Sequence, residues 1–155
     1  MWDFTKQVIT HSPEETFALA RDLGHGFRGG EVVALVGTLG SGKTTFTRGL
    51  VCGLGCPYYR KVNSPTYVLE QIYEGRVPIH HYDAYRLNEA DELQGLGFEE
   101  HLGSERVLVI EWADRIEHYL PATRMVVEIE FAGGAASRSI RISGAGIPPT
   151  PSENR

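Results

Sequence analysis

Gly37-Thr38-Leu39-Gly40-Ser41-Gly42-Lys43-Thr44 fills every specified position of the pattern G-x-x-x-x-G-K-[ST]. Glycines let a backbone wrap closely around an anion with successive N–H groups pointing inward, and a helix that follows adds its positive end. A lysine at position 43 can reach the outer phosphates of a nucleotide, and a hydroxyl at 44 can ligate magnesium. Context supports the reading. The apolar run Glu31–Val36 (EVVALV) reads as a buried strand, and Phe46, Leu50, Val51 and Leu54 recur at helical spacing over Thr44–Leu54.

Outward from this loop the pattern is α/β. Ser12-Pro13-Glu14-Glu15 forms a capping box, and Phe17, Ala20, Leu23 and Phe27 extend a helix toward Gly29-Gly30. Tyr67–Tyr73 and Val77–Tyr82 flank the turn Glu74-Gly75-Arg76 as an antiparallel hairpin. Asn88–Leu102 is expected to be helical, with Gly95 and Gly97 weakening its middle. Arg106–Trp112 contains VLVI, a second buried strand, and Met125–Phe131 with Arg138–Ser143 makes a second hairpin around Gly133-Gly134. The expected architecture is a single P-loop NTPase-like domain over residues 1–143. Its mixed sheet has a parallel centre and antiparallel hairpins, with helices on both faces. Residues 144–155, rich in proline and glycine, are expected to be a disordered tail.

Composition bounds the function. The 155 residues hold 41% hydrophobic side chains and a formal net charge of −5, with 15 basic residues against 20 acidic ones. Nucleic-acid binding rests on Lys and Arg neutralising phosphates, so direct binding to RNA or DNA is not expected. Cys52 and Cys56 lack further soft ligands and read as free thiols of a reducing compartment. With no apolar run of spanning length and no signal-peptide pattern, a cytoplasmic location and no membrane are expected.

Hydrolysis wants carboxylates to fix magnesium and a water. Glu111 ends the run Val107–Ile110, and Asp83 ends the strand Val77–Tyr82. Strand C-termini of such sheets face one crevice, so both acids can reach one metal, the bland alternative being strand-end acids facing solvent. Asn63-Ser64-Pro65-Thr66-Tyr67 reads either as a loop whose two hydroxyls, Ser64 and Thr66, touch the terminal phosphate or its metal, or as a turn entering a strand. His80 and His81 raise a metal site as a rival, but no second carboxylate or histidine stands at ligand spacing. Packed or hydrogen-bonded imidazoles are the better reading.

With these residues in view, the chain resembles the TsaE (YjeE) family of small ATPases of tRNA threonylcarbamoyladenosine biosynthesis. The resemblance runs through GTLGSGKTTFTRGL at 37–50, NSPTYVL at 63–69, HYDAYRL at 81–87 and VIEWADR at 109–115. It implies that Thr38, Leu39, Gly40, Ser41, Gly42, Lys43, Thr44 and Thr45 hold the phosphates of ATP, with Thr44 on Mg2+. Ser64-Pro65-Thr66 corresponds to a switch-like loop. Asp83 matches the acid of an H-x-D-x-Y-R signature, beside His81, Tyr85 and Arg86. Glu111 matches a magnesium ligand followed by Trp112. The helix start at Ser12 matches a segment near the base, and Arg138 corresponds only weakly. Catalytic duty falls by this resemblance on Lys43, Asp83, Glu111 and Thr66. The implied partner is a TsaB–TsaD heterodimer, in which TsaD transfers threonylcarbamoyl to adenosine and TsaE turnover resets the complex. Transfer RNA is then met only through partners.

Two other classes remain open on sequence. A small-molecule kinase usually needs an arginine-bearing lid and an acceptor insertion, and the stretch after Glu111 is short. A non-catalytic nucleotide sensor would bind without turnover. No N-K-x-D base-reading motif is present, which argues against one class of GTPase.

Overall fold

The computed structural model describes residues 3–63, 70–85, 97–102 and 105–145. The 64–66 loop, Arg86, the first part of the expected 88–102 helix and residues 146–155 lie outside them.

The chain runs β1 (Asp3–Thr10), α1 (Pro13–His25), β2 (Val32–Gly37), α2 (Lys43–Gly53), a 3-10 turn (Tyr59–Lys61), β3 (Glu70–Glu74) and β4 (Pro78–Asp83). It continues with α3 (Phe98–His101), β5 (Val107–Glu111), 3-10 turns over Ala113–Tyr119, β6 (Arg124–Phe131) and β7 (Arg138–Ala145). The strands form one sheet in the order β1-β7-β6-β2-β5-β4-β3. β2 is parallel to both β5 and β6, and β4 is parallel to β5. The β3–β4, β6–β7 and β1–β7 pairs are antiparallel. The mixed sheet with a parallel centre expected from the sequence is therefore the one formed.

Side chains alternate across each strand, and the two faces find different cover. Val33, Leu35, Val107, Val109, Val127 and Ile129 pack with Phe46, Leu50, Val51 and Ala20 of α2 and α1. On the opposite face Val32, Ala34, Leu108, Ile110 and Tyr82 meet Phe98 of α3 and Ala113 and Ile116 of the 3-10 turns. α1 and α2 approach so closely that glycine is required. A Cβ at Gly49 would stand 2.4 Å from the Phe17 carbonyl oxygen, and one at Gly53 2.2 Å from that of Arg21.

Ser12 caps α1 as expected, its Oγ accepting from the Glu15 amide at 3.1 Å, while the Glu15 carboxylate reaches one residue past the cap and accepts from the His11 amide at 3.2 Å. The helix stops at His25, two residues before Phe27. Arg76, from the β3–β4 turn, donates to the carbonyls of Gly24, His25 and Phe27 at 3.0–3.3 Å and to Gly53 at 2.8 Å. One guanidinium thus serves the C-terminal ends of both helices, where carbonyls lack helical partners.

Three expectations need correction. β1 was not anticipated, because its Val8 and Ile9 are adjacent and break a clean alternation; its pairing comes from β7 at the other end of the chain. β7 runs to Ala145, two residues past the boundary expected at 143. A continuous helix through Leu102 does not form, since Gly97 adopts φ 75 and starts a separate single turn, α3.

Candidate functional site

Four mutually parallel strands put their C-terminal ends on one edge, and three of them deliver the chemistry there. β2 ends at Gly37 and feeds the loop; β4 ends at Asp83; β5 ends at Glu111. Asp83 and Glu111 are register partners across the β4–β5 pair, and each is only 2% exposed. The reading of either as an acid facing solvent is thereby overturned.

The loop rises through Gly40 at φ 78 and Gly42 at φ 111, left-handed conformations that favour glycine. Gly42 caps α2 without any side-chain hydrogen bond to the helix end, so the first amides of α2 are not occupied by a capping side chain. A cavity of about 550 Å³ opens between the loop and the two acids. Leu39, Gly40, Gly42, Lys43, Thr44 and Thr45 line one side, and Asp83, Tyr85, Glu111 and Trp112 the other.

Not every expected residue faces this cavity. Thr38 is exposed, and its carbonyl accepts from Lys43 and from the Ser41 amide. Ser41 is buried beneath the loop, its hydroxyl without a hydrogen-bond partner among the described residues. Ser12 caps α1 and is absent from the cavity wall. Thr66 lies outside the described residues.

Lys43 is 6% exposed, and its ammonium donates to the carbonyls of Gly37 at 2.7 Å and Thr38 at 2.9 Å. Burial lowers its pKa from 10.5, while the charges of Glu111, Asp83 and Asp114 act in the opposite sense. The same ammonium sits 4.0 Å from the centre of the Trp112 ring. Tyr85 packs on Trp112 with ring centres 4.9 Å apart, and the Arg115 guanidinium covers Tyr85 at 4.6 Å. Asp83 Oδ1 accepts from the Tyr85 amide at 2.8 Å, which ties that wall to the acid.

Arg138, matched only weakly by resemblance, clasps the loop from β7. It donates to the carbonyls of Ser41 at 2.8 Å and Gly40 at 3.3 Å and lies 4.2 Å over the Phe131 ring. It also donates to the nearby carbonyls of Ala135 at 2.7 Å and Ser137 at 3.0 Å, but nothing local marks its hold on the loop, whose carbonyls are 97 and 98 residues away in sequence.

The two histidines diverge, as neighbours on a strand must. His81 Nε2 donates to Glu111 Oε2 at 2.5 Å. His80, on the other face, lies with Glu70 and His101 so that one ligand atom of each falls within 4.8 Å of the others. The second carboxylate and histidine that sequence spacing lacked are thus supplied by folding. They make a hydrogen-bonded network nonetheless. Arg106 donates to His80 Nε2 at 2.8 Å, which places the ring proton on Nδ1, where it is donated to Glu70 at 3.0 Å. A metal at Nδ1 would need the opposite tautomer, with the Arg106 charge beside it. Both cysteines are free thiols. Among the described residues, no helix is long and apolar enough to cross a membrane.

A strand, glycine loop and helix with acids closing the neighbouring parallel strands define a P-loop NTPase-like protein. The family profile described as threonylcarbamoyl adenosine biosynthesis protein TsaE matches residues 10–140. The chain is 42% identical over 125 residues to the tRNA threonylcarbamoyladenosine biosynthesis protein TsaE of Bacillus subtilis, covering 80% of this chain and 77% of that one. It is 33% identical to the protein of that name from Treponema pallidum, covering 79% and 90%. A crystal structure of Bacillus subtilis YdiB superposes with a TM-score of 0.76 at 32% identity, covering 94% and 89%. The chain belongs to the TsaE family.

Proposed function

We propose that this protein binds Mg-ATP in the cavity and hydrolyses it to drive or reset a TsaB–TsaD-like heterodimer that makes threonylcarbamoyladenosine in tRNA. The observation that carries the reading is the convergence of Lys43, Asp83 and Glu111 on one cavity floored by a helix N-terminus. The pathway comes from family membership, since its relatives bear that role in their names. A cytoplasmic location and contact with tRNA only through partners complete the reading.

The donor set suits magnesium. Asp83, Glu111 and the Thr44 hydroxyl offer hard oxygens on the wall of one cavity, the ligand class Mg2+ takes. When bound, that ion would supply positive charge that offsets the negative charge of the phosphates during phosphoryl transfer. The chain's own groups do the rest. Loop amides from Gly40 to Thr45 orient the phosphates, Lys43 leaves its carbonyl acceptors to meet them, and the carboxylates hold the ion or orient the attacking water.

The deciding experiment measures phosphate release with the chain alone and with TsaB and TsaD added. Partner-stimulated release that Glu111→Ala abolishes, while nucleotide binding persists, supports the reading. Normal hydrolysis by Glu111→Ala in the full complex would refute that carboxylate's role. Stoichiometric phosphoryl transfer to a metabolite would show a kinase instead, and binding without turnover under every partner condition a sensor.

A further inference from the structure

Glu111 sits at the end of β5 on a side chain with three rotatable bonds, yet it is 2% exposed and held by a histidine that is itself buried. His81 lies on β4 opposite Val109, one alternation step below the Asp83–Glu111 pair. Its ring therefore points to the same face as both acids and underlies them.

The ring is held in turn. With Nε2–H donated to the Glu111 carboxylate, the Nδ1 of a neutral imidazole is an acceptor. The Tyr73 hydroxyl stands 3.1 Å from that nitrogen, and the two rings pack at 5.9 Å between centres. Tyr73 comes from β3, across the antiparallel β3–β4 pair, and its single hydroxyl proton is shared between that nitrogen and Gln71 Oε1 at 2.7 Å. The series Tyr73–His81–Glu111 thus crosses three adjacent strands and ends on an acid of the cavity wall. It engages one carboxylate oxygen, Oε2, and a carboxylate has a second to offer.

We infer that His81 and Tyr73 are positioning residues that pre-orient Glu111 toward magnesium. The inference rests on the reading of Glu111 as a magnesium-holding carboxylate. Its physical content is that a ligand oriented before the ion arrives gives up less conformational freedom on binding. Outer partners of this kind typically change metal affinity or activity by about 10–100-fold when removed. A purely structural role for His81 would lower folding stability and leave the dependence on magnesium untouched.

The test is calorimetric titration with ADP and with ATP, each in magnesium and in EDTA, on folded protein. For the wild type the ratio of the two dissociation constants gives the gain from magnesium. His81→Leu is expected to reduce that gain about 10–100-fold while leaving the EDTA value within about twofold. His81→Gln, whose amide can reproduce the Nε2 donor, should recover most of it. Tyr73→Phe, which removes one oxygen and keeps the ring, should reduce the gain by a smaller factor and keeps the test open where His81→Leu does not fold. An undiminished gain in both His81→Leu and Tyr73→Phe, or in Tyr73→Phe and His81→Gln should His81→Leu not fold, would overturn the relay alone. A wild type with no gain from magnesium would overturn it together with the reading of Glu111.

Discussion

The ammonium of Lys43 rests 4.0 Å from the centre of the Trp112 ring, while its protons are donated to the carbonyls of Gly37 and Thr38. Trp112 holds φ 58, the only positive φ among the described non-glycine residues. Such a conformation typically costs about 1–3 kcal/mol, so the surrounding packing of Tyr85 and Lys43 must over-determine it. The contact places an indole, a natural optical reporter, against the lysine that the proposed nucleotide must recruit.

Nucleotide binding should therefore be visible at Trp112. In a Trp2→Phe background, which leaves Trp112 as the only tryptophan, Mg-ATP is expected to shift or change the intensity of emission as Lys43 leaves the ring. Lys43→Ala should show altered emission before any nucleotide is added. It should also bind ATP about 10–100-fold more weakly, the scale of a lost charged hydrogen bond. A fluorescence titration paired with calorimetry checks both.

Arg138 should govern the stiffness of the glycine loop. Arg138→Ala removes the donors to Ser41 and Gly40 and the cover on Phe131. About 1.5–3 kcal/mol of stability should go with it. Weaker nucleotide binding is expected with little change in the rate at saturation. Arg138→Lys should recover the charge but not the fork, and so only part of the effect. Urea unfolding and KM against kcat in the partner-stimulated reaction would measure these.

Gly49→Ala and Gly53→Ala should destabilise the protein although alanine is the better helix former by about 1 kcal/mol. The added methyl meets backbone oxygen of α1 at under 2.5 Å, and backbone cannot rotate aside. Overpacking of this kind costs about 1–3 kcal/mol, enough to exceed the propensity gain. At this chain length each kcal/mol corresponds to about 2–4 °C in Tm, readable by thermal melting.

Stability should decline in alkali in part for a reason located at Tyr73, the buried Tyr82 phenol, also pushed up, acting in the same sense. Burial first, and the nearby Glu111 charge second, push its phenol up from 10 to about 12. An unfolded chain releases that proton near pH 10 while the native chain keeps it, so between pH 10 and 12 the unfolded state binds fewer protons. The contribution is intact below pH 10 and falls away as pH rises toward 12. Urea midpoints from pH 8 to 11 should drop more steeply for the wild type than for Tyr73→Phe.

Much of this was legible along the chain because its causes are local. The helix cap at Ser12, the glycines of the loop and the apolar runs ending in Asp83 and Glu111 each announce themselves within ten residues. β1 did not, because an edge strand with one weakly buried face carries little periodic signal. Nor did the break at Gly97, where a tolerated helix glycine and a left-handed stop look alike in sequence.

Sequence alone determined that a strand would end in a glycine-rich loop leading into a helix, beside acid-ended strands, since propensity, alternation and glycine geometry act over a few neighbouring residues. Only tertiary structure decided that His81 would turn to Glu111 while His80 turned to Glu70 and Arg106. It alone placed Trp112 against Lys43 and Arg138 against the loop. Those relationships depend on register between strands and on side chains meeting across tens of residues, and no local pattern encodes such distances.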